Sequence, residues 1–163
     1  MYHDVVARDE HERSGFAGAD AALYKLDPAQ FAAHLEAMGE AVGGAKPARV
    51  FELAGDAHAG KAGSDADEGA KGEANANGRR DTVTPFLITF DDGGASAATR
   101  IAGMLEARGW RGHFLVTTNY IGARSFVTRE QVRELPAGGH VVGSHSCSHP
   151  LRMASCSRAK LLD

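Results

Sequence analysis

Apolar residues recur at two periods along the chain, and the change of period marks its elements. Asp27-Pro28-Ala29-Gln30 predicts a helix start, with an N-cap aspartate, a proline at the first helical position and a glutamine three residues after the cap. Phe31, Leu35, Met38 and Val42 follow at helical spacing, and Gly43-Gly44 ends the run. Arg49 to Leu53 reads as a short strand. From Ala54 to Asp81 no aromatic or branched aliphatic residue occurs, and this Gly/Ala/Asp-rich stretch reads as a disordered surface insertion. Strand-like runs then begin at Pro85 (PFLITF), His113 (HFLVTT) and His140 (HVVGS), about 27 residues apart. A helix is expected between the first two, over Ala95 to Arg108, with Ile101, Met104 and Leu105 on one face. Another starts at Thr128, whose T-R-E-Q is a capping-box pattern, and Pro136 and Gly138-Gly139 stop it. A last helix is expected over Ser157 to Asp163. Strands and helices alternating at this period predict parallel βα units, an α/β fold.

Size and composition narrow this picture only slightly. A chain of 163 residues supports one sizeable core and one domain, 1–163. A net charge of −3, with no basic stripe interleaved with aromatics, argues against a nucleic-acid partner. No apolar stretch reaches the roughly 18 residues of a membrane span. Met1-Tyr2-His3-Asp4 lacks the basic start and apolar core of a signal peptide, so a cytoplasmic location is the expectation. Two cysteines, Cys147 and Cys156, make no disulfide framework. Cys147 lies between two histidines, but it reads as a small buried residue rather than a third ligand.

Candidate chemistry sits at two strand ends. Ile88 to Gly94 reads I-T-F-D-D-G-G, an apolar strand ending in two carboxylates and then glycines. His145-Ser146-Cys147-Ser148-His149 sets two imidazoles four residues apart after Val141-Val142-Gly143. In a parallel α/β sheet functional groups gather at the carboxyl ends of strands, so both segments should emerge on one face, two strands apart. The histidines can present both rings together if their segment begins a helical turn. Gly93 and Gly94 permit the turn that lets one carboxylate face a metal while the other faces bound water. Two imidazoles with one or two carboxylate oxygens form the ligand set of a hydrolytic metal site.

At these residues the chain resembles the polysaccharide deacetylase family, the NodB-homology or carbohydrate esterase family 4 group. Thr89-Phe90-Asp91-Asp92-Gly93 is similar to that family's first motif, and His145-Ser146-Cys147-Ser148-His149, entered through Gly139 to Ser144, to its second. Met1-Tyr2-His3-Asp4 also looks like the exit of the first strand in such enzymes. The resemblance covers mainly residues 83 to 157. It implies a NodB-type distorted (β/α) barrel and a hydrolase that removes N-acetyl groups from amino sugars in a polysaccharide. It further implies Asp92, His145 and His149 as ligands of a divalent metal ion, Zn²⁺ or a similar ion, and Asp91 as the catalytic base. Ser146 would hydrogen-bond the loop, and Gly93 would support the turn. The substrate would be an N-acetylated polysaccharide or oligosaccharide.

Later motifs of the family, which carry an arginine, a tryptophan-bearing wall and a catalytic histidine, would lie beyond the second motif. Trp110 is not in that position, and no histidine follows His149. The expectation is therefore a C-terminally incomplete barrel, with a catalytically deficient fragment that binds only metal or sugar as the alternative. A phosphoryl-transfer enzyme built on Asp91 fits less well, because its aspartates are usually separated by one residue. His140, His34, His58 and His11 read as local packing or surface residues. The place of His3 in Tyr2-His3-Asp4 leaves open a position at the rim of the same site.

Overall fold

A computed structural model describes residues 1–53 and 85–162. The expected insertion at 54–81, His58 included, lies outside the described residues. The chain opens with β1 (Asp4–Val5), a 3-10 turn at Arg8–Arg13, α1 (Ala19–Ala22), β2 (Lys25–Leu26) and α2 (Pro28–Ala41). After the insertion come β3 (Thr89–Phe90), a π-helical turn at Ala97–Ile101 that runs into α3 (Ala102–Glu106), and β4 (His113–Val116). Then follow α4 (Arg129–Ala137), β5 (Val141–Ser144) and α5 (Arg158–Leu162).

β3, β4 and β5 form a parallel sheet in that order, with Phe90 opposite Phe114 and Phe114 opposite Val142. β1 and β2 pair in parallel, and Tyr2 bridges in parallel to Phe90, so the first strand pair continues the wall beyond β3. Cross-strand stacking follows this register: the Phe90 ring stacks on Tyr2 at 5.8 Å and on Phe114 at 5.0 Å. Phe114 in turn meets His140 edge-on at 5.1 Å. Phe31 and Leu35 of α2, Ile101 and Leu105 of the third helical segment, and Leu135 of α4 cover the sheet. Each is buried, and each such side chain contributes roughly 1.5–3 kcal/mol. The described part is a section of a parallel barrel wall with helices outside. No helix among the described residues is long and apolar enough to cross a membrane.

Both expected capping boxes form. Asp27 accepts the Gln30 N–H at 2.8 Å while Gln30 Oε1 accepts the Asp27 N–H at 3.1 Å, and Thr128 and Gln131 repeat the exchange. Three expectations change. Residues 50–53 are helical rather than extended, because Glu52 folds back to accept both the Arg49 N–H (2.6 Å) and its guanidinium. Pro136 lies inside α4 instead of stopping it; it forgoes one i→i−4 hydrogen bond one residue before the helix ends, and the Gly138 N–H still reaches the Glu134 carbonyl at 3.0 Å. The second run is shorter than its apolar pattern. β4 ends at Val116 because the Thr117 N–H turns to the Asp92 carbonyl and the Thr118 N–H to that of Ser146.

Candidate metal centre

β3 delivers the first pair of carboxylates. The Asp91 N–H donates to the Tyr2 carbonyl at 2.9 Å, which extends the pairing with the N-terminal segment by one residue. The chain then turns sharply, with Asp92 at φ 73° and Gly93 at φ 80°. Glycine is required at the second position twice over. Its φ is positive, and a Cβ there would sit 2.9 Å from Val116 Cβ and 3.1 Å from Val116 Cα. The turn thus lies directly on the end of β4.

β5 delivers the histidines. The His145 N–H donates to the Val116 carbonyl at 2.8 Å, a last rung of the β4–β5 ladder. The expected helical turn at 145–149 does not form. Ser146 and His149 take positive φ values of 68° and 50°, and the carbonyls of Ser146 and Cys147 accept N–H groups from Thr118 and Asn119. Pro150 also disfavours a right-handed helical conformation at His149. Ser146 Oγ accepts the His149 N–H at 3.0 Å, so it ties the loop together.

This irregular loop still brings the rings together. One donor atom from each of Asp92, His145 and His149 lies within 4.8 Å of the others. Asp92 Oδ1 stands 3.4 Å from His145 Nε2 and 3.2 Å from His149 Nε2, yet it is buried without a hydrogen-bond partner among the described residues. Asp91 is equally buried; its Oδ2 is 4.0 Å from His145 Nδ1, and its Oδ1 is also without a partner among the described residues. Burial pushes the Asp92 carboxyl above its ordinary range, with Asp4 adding to the rise. The positive charges that His3, His149 and His145 carry when protonated oppose it. Cys147 is half-buried and is not part of this donor cluster.

All four residues line a cleft of about 730 Å³, whose other wall includes His3, Phe16, Tyr24 and Lys25. The position left open for His3 is therefore at this site, its ring 5.0 Å from that of Tyr24. Phe16 is the contributor that sequence reasoning missed: its ring packs at 4.6 Å on that of His149. It stands in a polar segment, with no periodicity to flag it.

Comparison with known proteins bears on the fold and the family. No curated protein sequence matches the chain. The deacetylase PplD of Streptococcus pyogenes, solved in complex with acetate, superposes with a TM-score of 0.60 at 18% identity, over 92% of this chain and 56% of that one. A polysaccharide deacetylase from Bacillus cereus gives 0.63 at 16% identity, over 97% of this chain and 41% of that one. A de-N-acetylase from Aggregatibacter actinomycetemcomitans gives 0.60 at 18%, over 98% and 57%. At such identities the likeness is one of fold, and this chain spans about half the length of those structures. Residues 79–163, more than half of the chain and the part that carries both motifs, match the family described as Polysaccharide deacetylase, and the chain belongs to that family.

Proposed function

We propose that the chain carries the metal-dependent hydrolytic centre of an N-deacetylase acting on acetylated amino sugars of a polysaccharide. The observation that carries this reading is the convergence of Asp92, His145 and His149 beside a second buried carboxylate. Donors at usual zinc-ligand lengths stand roughly 3.3 Å apart in a tetrahedron. The separations of 3.4 and 3.2 Å about the unpartnered Asp92 Oδ1 fit that spacing, so these residues suit a shared cation. Two imidazoles and a carboxylate favour Zn²⁺ without excluding other first-row ions. When bound, such an ion supplies Lewis-acid polarisation of the acetyl carbonyl and acidifies water.

The remaining chemistry falls to the chain. Asp91, with an oxygen that no described residue occupies, accepts a proton from the attacking water. As the tetrahedral carbon collapses, the same carboxyl gives that proton to the nitrogen while the C–N bond breaks. Acetate and a free amine leave, and Asp91 is restored. The cleft wall excludes bulk water from one side and gives the sugar a surface to rest on. The test is acetate release from chitin oligomers, with metal content followed by mass spectrometry. Asp91→Asn should retain the metal and lose about 10²–10⁴ in rate. Unchanged turnover in that variant would remove Asp91 from the mechanism.

A further inference from the structure

Lys25 is 8% exposed, and a buried ammonium is tolerated only when its hydrogens all find acceptors. Here all three do, and all the acceptors belong to one short segment. Nζ donates to the carbonyls of His11 at 2.5 Å, Ser14 at 2.6 Å and Phe16 at 2.7 Å. The side chain therefore fixes the path of the backbone from 11 to 16, which has only a 3-10 turn of its own. Further ties hold the same segment: Ser14 Oγ donates to Asp4 and accepts the Ser96 N–H, Ser125 Oγ donates to the Glu12 carbonyl, and the Gly15 N–H donates to the Ser125 carbonyl.

The end of this caged segment reaches the metal ligands. The Phe16 ring lies 4.6 Å from that of His149, tilted by 35°, while Tyr120 and Phe126 brace it edge-on at 5.0 and 5.1 Å. His149 itself sits in a left-handed backbone conformation at φ 50°, on a loop without helical hydrogen bonds. Its ring thus owes part of its orientation to a neighbour from the other wall. The geometry points to Lys25 as a positioning residue of the centre. Through the three carbonyls it holds Phe16 against His149, and so sets how tightly Asp92, His145 and His149 take a divalent cation. This inference rests on the metal-site reading proposed above.

Cobalt(II) titration of the full chain, followed by visible d–d absorption, tests it. Wild type should take up one Co²⁺. Lys25→Met keeps length but leaves three carbonyls unmatched, and Phe16→Ala removes the ring. Each should weaken Co²⁺ binding about tenfold and alter the absorption bands. The double variant should be no weaker than either single one, because both act through the same contact. Phe16→Tyr, which keeps a ring, should stay near wild type. A merely structural role for Lys25 would lower the melting temperature without this non-additivity in affinity. Unchanged affinity and spectrum in either single variant, or additive losses in the double, would overturn the proposal. If Lys25→Met does not fold, Phe16→Ala against Phe16→Tyr decides alone. Absence of cobalt uptake by wild type would defeat the metal-site reading and this proposal with it, whereas uptake insensitive to position 16 defeats only the latter.

Discussion

Between residues 85 and 149 the chain is held by periodic apolar side chains and a parallel ladder; between residues 1 and 26 the buried apolar side chains are Val5 and Val6, and the buried polar residues Asp4, Ser14 and Lys25 outnumber them. Phe90, Ile101, Leu105, Phe114 and Val127 of the first region are all fully or nearly fully buried. The second region has strands of two residues each and a four-residue helix that buries nothing. Its fixed points are Asp4, which accepts from Ser14 Oγ at 2.5 Å and Ser96 Oγ at 2.7 Å, and the caged Lys25. Gly94 and Gly15 press on the Asp4 carboxylate so closely that a Cβ on either would overlap it. A core spreads its stabilisation over many contacts, whereas a polar staple concentrates it in a few that have no substitute. The two walls of one cleft therefore fail differently.

The largest expected effect falls on the motif wall. His145→Ala or His149→Ala should weaken divalent-metal binding by more than about 100-fold, read as metal per chain after gel filtration. One metal per chain in the double variant would break the assignment of the centre to this wall.

Next come two stability variants that compare the walls directly. Leu105→Ala should cost about 2–5 kcal/mol in urea unfolding. Asp4→Ala should cost about 1–3 kcal/mol, because it strands two buried hydroxyl donors. An Asp4→Ala protein as stable as wild type would show that the N-terminal wall does not depend on its polar staple. Gly93→Ala places a side chain at φ 80° against Val116 and should cost a further about 1–3 kcal/mol, measured the same way.

The smallest effect is a pH dependence inside the motif wall. His140 Nδ1 accepts the Gly112 N–H at 3.1 Å, so the neutral ring carries its proton on Nε2, 3.1 Å from Glu106 Oε1. Burial lowers the His140 pKa below its ordinary value of 6.5, and Glu106 only partly opposes this. Between the folded and unfolded values the unfolded chain binds more protons. Stability should therefore fall as pH drops below 6.5 and level off above it. His140→Gln should flatten that dependence in unfolding curves taken on either side of the window. An identical slope in the variant would place its origin elsewhere.

Much of the motif wall was legible from sequence because its signals are local. A capping box, a 3.6-residue stripe and an apolar run ending in Asp91-Asp92-Gly93 each depend on neighbours in the chain. Parallel pairing then carried both motifs to one end of the sheet. What local pattern could not supply was the shape between elements. The loop at 145–149 is not helical because its carbonyls are taken by Thr118 and Asn119, and residues 50–53 are helical because a glutamate folds back on its own cap. Phe16, Lys25 and Asp4 lie in a lead segment without periodicity, and their partners Ser96, Ser125 and His149 are distant in sequence. Sequence alone determined which residues meet at the strand ends, since residue type and strand-end position are written in the motifs. Only the tertiary structure decided what those residues lean on, because a buried ammonium or carboxylate finds its acceptors and donors in space and leaves no period along the chain.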